Sequence, residues 1–136
     1  MTTTHTVPLD ADQRRHLLRA DRLGAAGERL TADHLVDDGF EVLARGWRVA
    51  DGPLRGELDV VAVDRDCLVV CEVKTRRDAA RFDGAVAAVD ARKLARLRRL
   101  TGAFLRDADT VWRRVRLDVV AVDVAAARLT HLVGVP

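Results

Sequence analysis

Several residue types are scarce or missing in this chain. It contains no isoleucine, asparagine or tyrosine, and two of its 23 basic residues are lysine. Its two cysteines, Cys67 and Cys71, are separated by three residues, and its four histidines are scattered along the sequence. These patterns predict neither a disulfide framework nor a zinc site. No apolar run approaches the roughly 20 residues of a membrane span, and the N-terminus lacks the layout of a signal peptide, so no membrane partner and a cytoplasmic location are expected.

The composition is that of a globular protein with one core. Of the 136 residues, 49% are hydrophobic and 32% are charged, which fits a single domain. The formal charge of +2 is too small to indicate a nucleic-acid partner, so the distribution of charge has to decide that question. The two lysines, Lys74 and Lys93, are exceptions among the many arginines. An ammonium is a compact charge whose pKa can shift, whereas a guanidinium stays protonated, so these positions are interpreted as needing lysine.

The centre of the sequence predicts a β-hairpin. Residues 58–63 and 68–73 are strand-forming runs on either side of a polar four-residue break. Both faces of the predicted hairpin are largely apolar, with Leu58, Val60, Val69, Cys71 and Val73 on one face and Val61, Val63, Leu68 and Val70 on the other. Such a hairpin is expected in a sheet that is covered on both sides.

The hairpin register brings charged residues together at its open end. Closing the turn on residues 65–66 pairs Val61 with Val70 and sets Asp59 opposite Glu72. Opposed carboxylates destabilise a sheet, so a cation is expected between them. Lys74 follows Glu72 by two residues and therefore lies on the same face. Glu57 would fall opposite Lys74 and is interpreted as its ion-pair partner, and a register slip of one residue would separate the carboxylates.

The remaining chain alternates helical and strand patterns. We expect a tail over 1–9, a short basic helix within 10–23, a helix over 24–38, a strand over 40–49, a turn over 51–56, a basic loop over 76–83, a helix from Asp90 to Asp107, and strands over 115–122 and 129–135. The core positions expected are Phe40, Val42 and Leu43 in the first strand, and Leu94, Leu97, Thr101, Phe104 and Leu105 in the last helix. The predicted fold class is α/β, with a mixed sheet of four to five strands flanked by helices. Residues 1–22 would form an N-terminal extension and 23–136 a single domain.

Glu28 is an unusual residue for its position. The predicted inward stripe of its helix consists of Ala25, Ala32, Leu35 and Val36, and Glu28 points to the same side. A carboxylate there is costly unless it is paired or binds a cation. A salt bridge to Arg29 or Arg45 and a metal site both remain open. Asp118, by contrast, is interpreted as structural and paired with Arg116 or an arginine of the last helix.

The charged constellation fits phosphodiester chemistry. Asp59, Glu72 and Lys74 have the spacing D…ExK, and Glu28 can add a third carboxylate. Oxygen ligands of this kind suit Mg²⁺ or Mn²⁺, which polarise a phosphoryl oxygen and activate water, while a lysine stabilises developing charge. A positive stripe is expected beside them, formed by Arg76, Arg77, Arg92, Lys93, Arg96, Arg98 and Arg99.

The order of several motifs resembles the YraN family of small bacterial proteins. The matching positions are Gly27-Glu28, Gly39-Phe40, Gly56 to Asp59, Glu72 to Arg76, Gly84, Lys93 and Arg116 to Val120. That family is similar to restriction-endonuclease-like PD-(D/E)xK nucleases and to archaeal Holliday-junction resolvases. The resemblance implies Glu28, Asp59 and Glu72 as metal ligands, Lys74 as catalytic lysine and Lys93 as a phosphate contact. This chain departs from the family in its long N-terminal extension and in Gly46, where relatives commonly carry asparagine.

Two functions follow as expectations. The first is a Mg²⁺- or Mn²⁺-dependent endonuclease acting on nucleic acid, with DNA, including branched DNA, favoured over RNA. The second is a weakly active or inactive nucleic-acid-binding accessory protein of the same fold, which would bind through Arg76, Arg77, Lys93 and Arg96. A third reading is an α/β domain whose charges pair only with each other. A homodimer is compatible with all three.

Overall fold

The fold is that of a computed structural model, which describes residues 2–49, 52–77 and 91–135. Over these residues the chain forms six strands and three helices. In chain order they are β1 (Thr3–Pro8), α1 (Ala11–Arg19), α2 (Leu23–Asp37), β2 (Glu41–Arg48), β3 (Glu57–Asp64), β4 (Cys67–Arg76), α3 (Ala91–Asp107), β5 (Arg114–Asp123) and β6 (Arg128–Val133). The predictions for residues 78–90, including most of the basic loop, Gly84 and the Asp90 cap, and for Asp51, lie outside the described residues.

The strands form one mixed sheet in the order β1-β6-β5-β4-β3-β2. The β4–β5 pair is parallel, and the four other neighbouring pairs are antiparallel. The predicted α/β class is therefore confirmed, and the architecture is compatible with a restriction-endonuclease-like fold. The predicted number of four to five strands is too small, because the sheet has six.

The strand that the sequence did not predict is β1. The tail predicted over residues 1–9 is wrong, since Thr3–Pro8 pairs antiparallel with β6 at the edge of the sheet. β1 is largely exposed and carries three threonines and one histidine, so it has little apolar signal to reveal it. Its structure depends on backbone pairing with a strand about 120 to 130 residues away, supported by the β-branched threonines.

The first two helices begin and end much as expected. Asp10 caps α1 in a reciprocal arrangement, since the Gln13 amide donates to Asp10 Oδ1 at 2.7 Å and the Asp10 amide donates to Gln13 Oε1 at 2.9 Å. α2 ends just before Gly39, whose φ of +92° suits a residue without a Cβ. Leu17 of α1 is fully buried, so that helix is anchored in the core.

The buried stripe of α2 differs from the predicted one. Ala32 and Leu35 are buried as predicted, whereas Ala25 and Val36 are exposed. The positions buried in their place are Ala26, Gly27 and Thr31. The stripe is thus rotated by about one residue around the helix. This rotation is accompanied by close packing, since a Cβ at Gly27 would lie 1.8 Å from Oγ1 of Thr75 on β4.

The sheet is covered on both faces, as predicted. One cluster contains Leu17 and Leu35 from α1 and α2, packed against Val60, Cys71 and Val120. A second cluster forms on the other face, where Leu97 and Leu100 of α3 pack against Leu58, Val61, Val63, Leu68 and Val70. Leu97 and Thr101 are buried as expected, Leu100 was not predicted, and Leu94, Phe104 and Leu105 are only partly buried. No helix in the described part of the chain is long and apolar enough to cross a membrane.

The predicted hairpin register is confirmed from Val60–Cys71 to Asp64–Cys67. Leu58, however, packs in the same cluster as Val61 and Val63, not with Val60 as predicted, so the alternation of faces breaks near Asp59. The neighbouring strand is irregular at the same level, where Gly46 has a φ of +60° between the pairs Arg45–Val60 and Trp47–Leu58. A left-handed backbone at this point suits glycine, and asparagine is the next best tolerated choice.

Leu43 is also misplaced by the sequence pattern. It was expected in the core with Phe40 and Val42, but 40% of it is exposed. The reason is an irregularity in the β2–β3 register between Val42 and Ala44. A bulge adds one residue to a strand and turns the side chains beyond it to the opposite face.

Candidate metal centre and lysine pair

Three carboxylates converge where α2 meets β3. Glu28 of α2 and Glu57 and Asp59 of β3 each offer an oxygen within 4.8 Å of the other two. All three residues are partly buried. Such an arrangement of hard oxygen ligands fits a divalent cation of the Mg²⁺ or Mn²⁺ type. The close packing of Gly27 against Thr75 brings Glu28 to this position.

Asp59 is the most perturbed member of this cluster. Its Oδ2 accepts a hydrogen bond from the backbone amide of Val73 at 2.9 Å, which fixes the carboxylate between β3 and β4. Burial, followed by the nearby charge of Glu72, raises the pKa of Asp59 to about 7. Burial and the charge of Glu57 likewise raise the pKa of Glu28, although Arg45 opposes the shift. The negative charge is thus poorly compensated, which is the condition under which a bound cation is most favourable.

Glu72 lies beside the cluster but is engaged by two lysines. Its Oε1 is 2.7 Å from Nζ of Lys93 and 3.4 Å from Nζ of Lys74. The prediction that Lys74 shares a face with Glu72 is confirmed. Burial and the neighbouring Lys93 lower the pKa of Lys74. The pKa of Lys93 is raised, because its contact with Glu72 outweighs the opposing effect of burial.

The predicted role of Glu57 is wrong. It was assigned to Lys74, but its Oε2 lies 3.0 Å from Nε and 2.9 Å from Nη2 of Arg48. The reason is the β2–β3 register, which sets Arg48 directly opposite Glu57. Glu57 therefore lies in the carboxylate cluster with Glu28 and Asp59, a position that its spacing in the sequence does not indicate.

A small cavity joins the two groups of charges. It has a volume of about 190 Å³ and is lined by Glu57, Asp59, Glu72, Lys93 and Arg96, with Gly56, Leu97 and Leu100 completing the wall. α3 forms one side of this cavity, so Lys93 reaches Glu72 across it. The polar lining, with the basic side chains of Lys93 and Arg96, makes it suited to an anionic group held next to the carboxylates.

Of the predicted positive stripe, Lys93 and Arg96 line the small cavity. Arg76 and Arg77 donate to the backbone oxygens of Thr75, at 3.3 Å, and Ala20, at 2.9 Å. Arg96 lines the small cavity and also a larger groove of about 680 Å³. The other residues of this arginine groove are Pro53, Leu54, Arg55, Arg98, Arg99, Gly102 and Arg106. Arg55 and Arg106 were not predicted, although the spacing of seven residues between Arg99 and Arg106 places them on one helix face.

Asp118 has the structural role that the sequence predicted. Its side chain has no exposed surface and accepts from Arg116 Nε at 2.9 Å, from Arg116 Nη2 at 3.1 Å and from the Gly134 amide at 2.9 Å. Nε2 of His131 lies 2.8 Å from its Oδ2. Burial alone would raise the pKa of Asp118, but these hydrogen bonds hold it below its usual value. The sequence did not indicate His131.

Comparison with known proteins places these residues in a family context. The model of the "Uncharacterised protein family UPF0102" matches residues 27–122. A "UPF0102 protein" of Kineococcus radiotolerans is 49% identical over 88% of this chain and 98% of its own length. A similar protein of Beutenbergia cavernae is 48% identical over 85% of this chain and 96% of its own length. Another, of Paenarthrobacter aurescens, is 45% identical over 85% of this chain and 93% of its own length. The matched range contains every member of the carboxylate cluster and both lysines.

Proposed function

The chain belongs to the UPF0102 family, and we propose that it is a metal-dependent nuclease that hydrolyses phosphodiester bonds in nucleic acid. The observation that carries this proposal is the convergence of Glu28, Glu57 and Asp59 within 4.8 Å. Beside them, Lys74 and Lys93 meet at Glu72. Carboxylates and lysines in this proximity combine a cation site with a site for a phosphate.

Glu28, Glu57 and Asp59 would hold Mg²⁺ or Mn²⁺. The raised pKa of Asp59, about 7, supports this assignment, since a divalent cation would compensate the charge that burial and Glu72 disfavour. A bound cation of this type supplies Lewis acidity toward a phosphoryl oxygen and lowers the pKa of water. The Val73 amide holds the Asp59 carboxylate in a fixed orientation, at 2.9 Å from Oδ2. Glu72 would hold the two lysines rather than the cation, because its Oε1 contacts the ammonium groups of both Lys74 and Lys93.

Lys74 is the residue that would act on the phosphate. Its ammonium lies 3.4 Å from Glu72 Oε1, a looser contact than the 2.7 Å of Lys93. Its lowered pKa, caused by burial and by Lys93, eases the transfer of a proton from its Nζ. We assign Lys74 to donating a hydrogen bond to the non-bridging oxygen on which charge develops. Lys93 holds Glu72 in place and would contact the neighbouring phosphate.

The arginine groove gives the proposal its substrate class. Arg55, Arg96, Arg98, Arg99 and Arg106 line a groove that shares Arg96 with the small cavity. Guanidinium groups recognise phosphate through paired hydrogen bonds, and several of them along one surface fit a polyanion better than a single small ester. A nucleic-acid strand lying in this groove would pass Arg96 and reach the small cavity at Glu72, the residue that Lys74 contacts. DNA, including branched DNA, is the substrate to test first.

The test is a cleavage panel of branched, single-stranded and duplex DNA with Mg²⁺ or Mn²⁺ and with chelator. Cleavage is expected with metal, and Asp59→Asn and Lys74→Met are expected to lower its rate by at least about 100-fold, within the range found for removal of one catalytic group. Asp66→Asn is the matched control, because Asp66 pairs with Arg114 at the exposed hairpin turn. Equal cleavage by Asp59→Asn and the Asp66→Asn control would reject this site.

A second function is supported by the lysine pair and the groove together. Because Glu72 is already neutralised by Lys74 and Lys93, the same surface can bind a phosphate backbone without cutting it. An accessory binder of this kind would bind DNA with a steep salt dependence that Arg99→Ala reduces. In that case Asp59→Asn would bind DNA as tightly as the wild type or more tightly, and no member of the cleavage panel would be cut.

A further inference from the structure

A second cluster of ligand-type side chains lies at the far end of α2. His34 in the last turn of α2, Asp38 at its C-terminal cap and His131 on β6 each offer a ligand atom within 4.8 Å of the other two. The rings of His34 and His131 meet edge to face, with centroids 5.8 Å apart. His34 follows Glu28 by six residues, which is about 9 Å along a helix axis. This cluster therefore stands apart from the carboxylate cluster and shares no residue with it.

The histidines of this cluster have buried nitrogens without partners. His131 is 1% exposed, and its Nε2 is 2.8 Å from Asp118 Oδ2. Because a carboxylate only accepts, Nε2 carries the hydrogen, so Nδ1 is the nitrogen that can offer a lone pair in the neutral ring. Neither His131 Nδ1 nor His34 Nε2 has a hydrogen-bond partner among the residues that the structure describes. Leaving two such atoms unsatisfied in one place costs free energy, which a ligand for both would recover.

We propose that His34, Asp38 and His131 form a binding site for a divalent transition-metal ion of the Zn²⁺ type. The unpartnered nitrogen of each ring and one carboxylate oxygen of Asp38 supply three ligands, the number typical of a zinc site with an open position. Imidazole nitrogens favour Zn²⁺ over Mg²⁺, which prefers the all-oxygen cluster of Glu28, Glu57 and Asp59.

The surroundings of His131 match those of known metal-binding histidines. In such sites, the ring nitrogen that does not bind the metal usually donates to a carboxylate, which fixes the tautomer and orients the ring. Asp118 does this for His131, and it is itself held by Arg116 and the Gly134 amide. The ring is thus held in one orientation before any ion arrives, and Nδ1 is the nitrogen left for a metal.

The cluster has access to solvent and a source for a further ligand. Asp38 is exposed, so an ion can enter past its carboxylate. His5 of β1 pairs directly with His131 of β6 and is also exposed. Side chains of directly paired residues project to the same face of a sheet, so the His5 imidazole is suited to the open position. An ion here would connect α2, β6 and β1, which points to a stabilising role for the metal.

The test measures metal binding to the full chain, independently of any cleavage. Zn²⁺ added to the chelator-treated protein is expected to raise its thermal midpoint, since an ion that binds the folded state stabilises it. Titration calorimetry with excess Mg²⁺, which would occupy the carboxylate cluster, is expected to show one Zn²⁺ site. His34→Asn and Asp38→Asn should each weaken it by more than the roughly 10–100-fold typical of losing an outer-shell partner. Co²⁺ in place of Zn²⁺ should give visible absorption of a tetrahedral site, which His34→Asn removes.

Two controls separate this site from others. His16→Asn removes an exposed histidine of α1 and should leave Zn²⁺ binding unchanged. Asp59→Asn removes a ligand of the carboxylate cluster and should also leave it unchanged. The proposal is overturned if Zn²⁺ binds His34→Asn as tightly as the wild type, or if Zn²⁺ neither binds the wild type nor shifts its midpoint. Circular dichroism of each variant verifies that it is folded.

Discussion

Lys93 of α3 and Glu72 of β4 form the shortest ion pair around the candidate site, with 2.7 Å between Nζ and Oε1. Lys74 approaches the same oxygen at 3.4 Å. The two lysines of the sequence therefore share one buried carboxylate, which is 9% exposed. Either lysine alone can compensate that charge, and together they repel each other.

The first prediction is a strongly non-additive lysine pair. Lys74→Met and Lys93→Met each keep the apolar stem and should each lower the free energy of unfolding by less than about 1 kcal/mol. The double variant leaves Glu72 unpaired and should lose about 3–5 kcal/mol. Urea unfolding of the four proteins gives the coupling, and adding Glu72→Gln should restore much of the loss. Additivity within about 0.5 kcal/mol would mean that the lysines do not share Glu72.

The second prediction concerns Asp59 in the absence of divalent cations. Its folded pKa of about 7 exceeds the usual 3.8, so ionisation destabilises the folded state. This penalty is absent below about pH 4, grows as the pH rises toward 7 and has an upper limit of about 4 kcal/mol. Asp59→Asn, which keeps an oxygen for the Val73 amide, should therefore be more stable than the wild type at pH 8 in chelator and equal to it near pH 4.

Asp66→Asn serves as the comparison, because its salt bridge with Arg114 lowers the pKa of Asp66. It should give no gain at pH 8. The gain from Asp59→Asn should shrink when Mg²⁺ or Mn²⁺ is added, because the ion stabilises only the wild-type cluster. A variant that is no more stable than the wild type at pH 8 would refute the crowding of negative charge at this site.

The third prediction concerns Asp118, whose ionisation stabilises the folded state, whereas that of Asp59 destabilises it. The hydrogen bonds of His131, Arg116 and Gly134 hold the pKa of Asp118 below its usual value despite burial. Its stabilisation is therefore complete above about pH 4 and is lost as the pH falls through the lower folded pKa. Asp118→Asn should cost roughly 3 kcal/mol at pH 7 and flatten the acid side of the stability profile. Asp64→Asn removes a half-exposed partner of the same arginine and should cost less than about 1 kcal/mol.

The fourth prediction tests the approach of α2 to β4. Gly27→Ala would place a Cβ 1.8 Å from Thr75 Oγ1, so the elements must move apart at a cost of about 1–3 kcal/mol. Gly24→Ala is the control, since a Cβ there meets nothing within 4 Å, and it should be neutral or stabilising by up to about 1 kcal/mol. If the nuclease proposal holds, Gly27→Ala should also slow cleavage, because it displaces Glu28. Unfolding curves that place the two variants at equal stability would contradict this packing.

The features that the sequence predicted correctly are those fixed by residues a few positions apart. The hairpin from Val60 to Cys71, the shared face of Glu72 and Lys74, the end of α2 before Gly39 and the pairing of Asp118 with Arg116 all follow from spacing over a few residues. Each depends on the period of two along a strand or, for the end of α2, on glycine as a helix stop, and the sequence displays both directly.

What the sequence could not supply depends on partners far along the chain. The β3–β4 register alone pairs Glu57 with Lys74, whereas the β2–β3 register sets Glu57 against Arg48. His34 and His131 are 97 residues apart, and no spacing connects them. The face of Leu58 was misjudged because the break near Asp59 is matched by Gly46 on another strand. A backbone irregularity leaves no mark in the alternation of apolar residues.

The pairing of β1 with β6 has a consequence for how the protein behaves in solution. Unpaired strand edges recruit other chains, and proteins protect them with charge, bulges or proline. β2, at one edge, carries arginines and a register irregularity, and β1, at the other, ends at Pro8. Removing residues 1–9 would uncover β6, whose Leu129 and Leu132 are buried. Such a truncated chain should self-associate through that strand, which light scattering across a concentration series would detect.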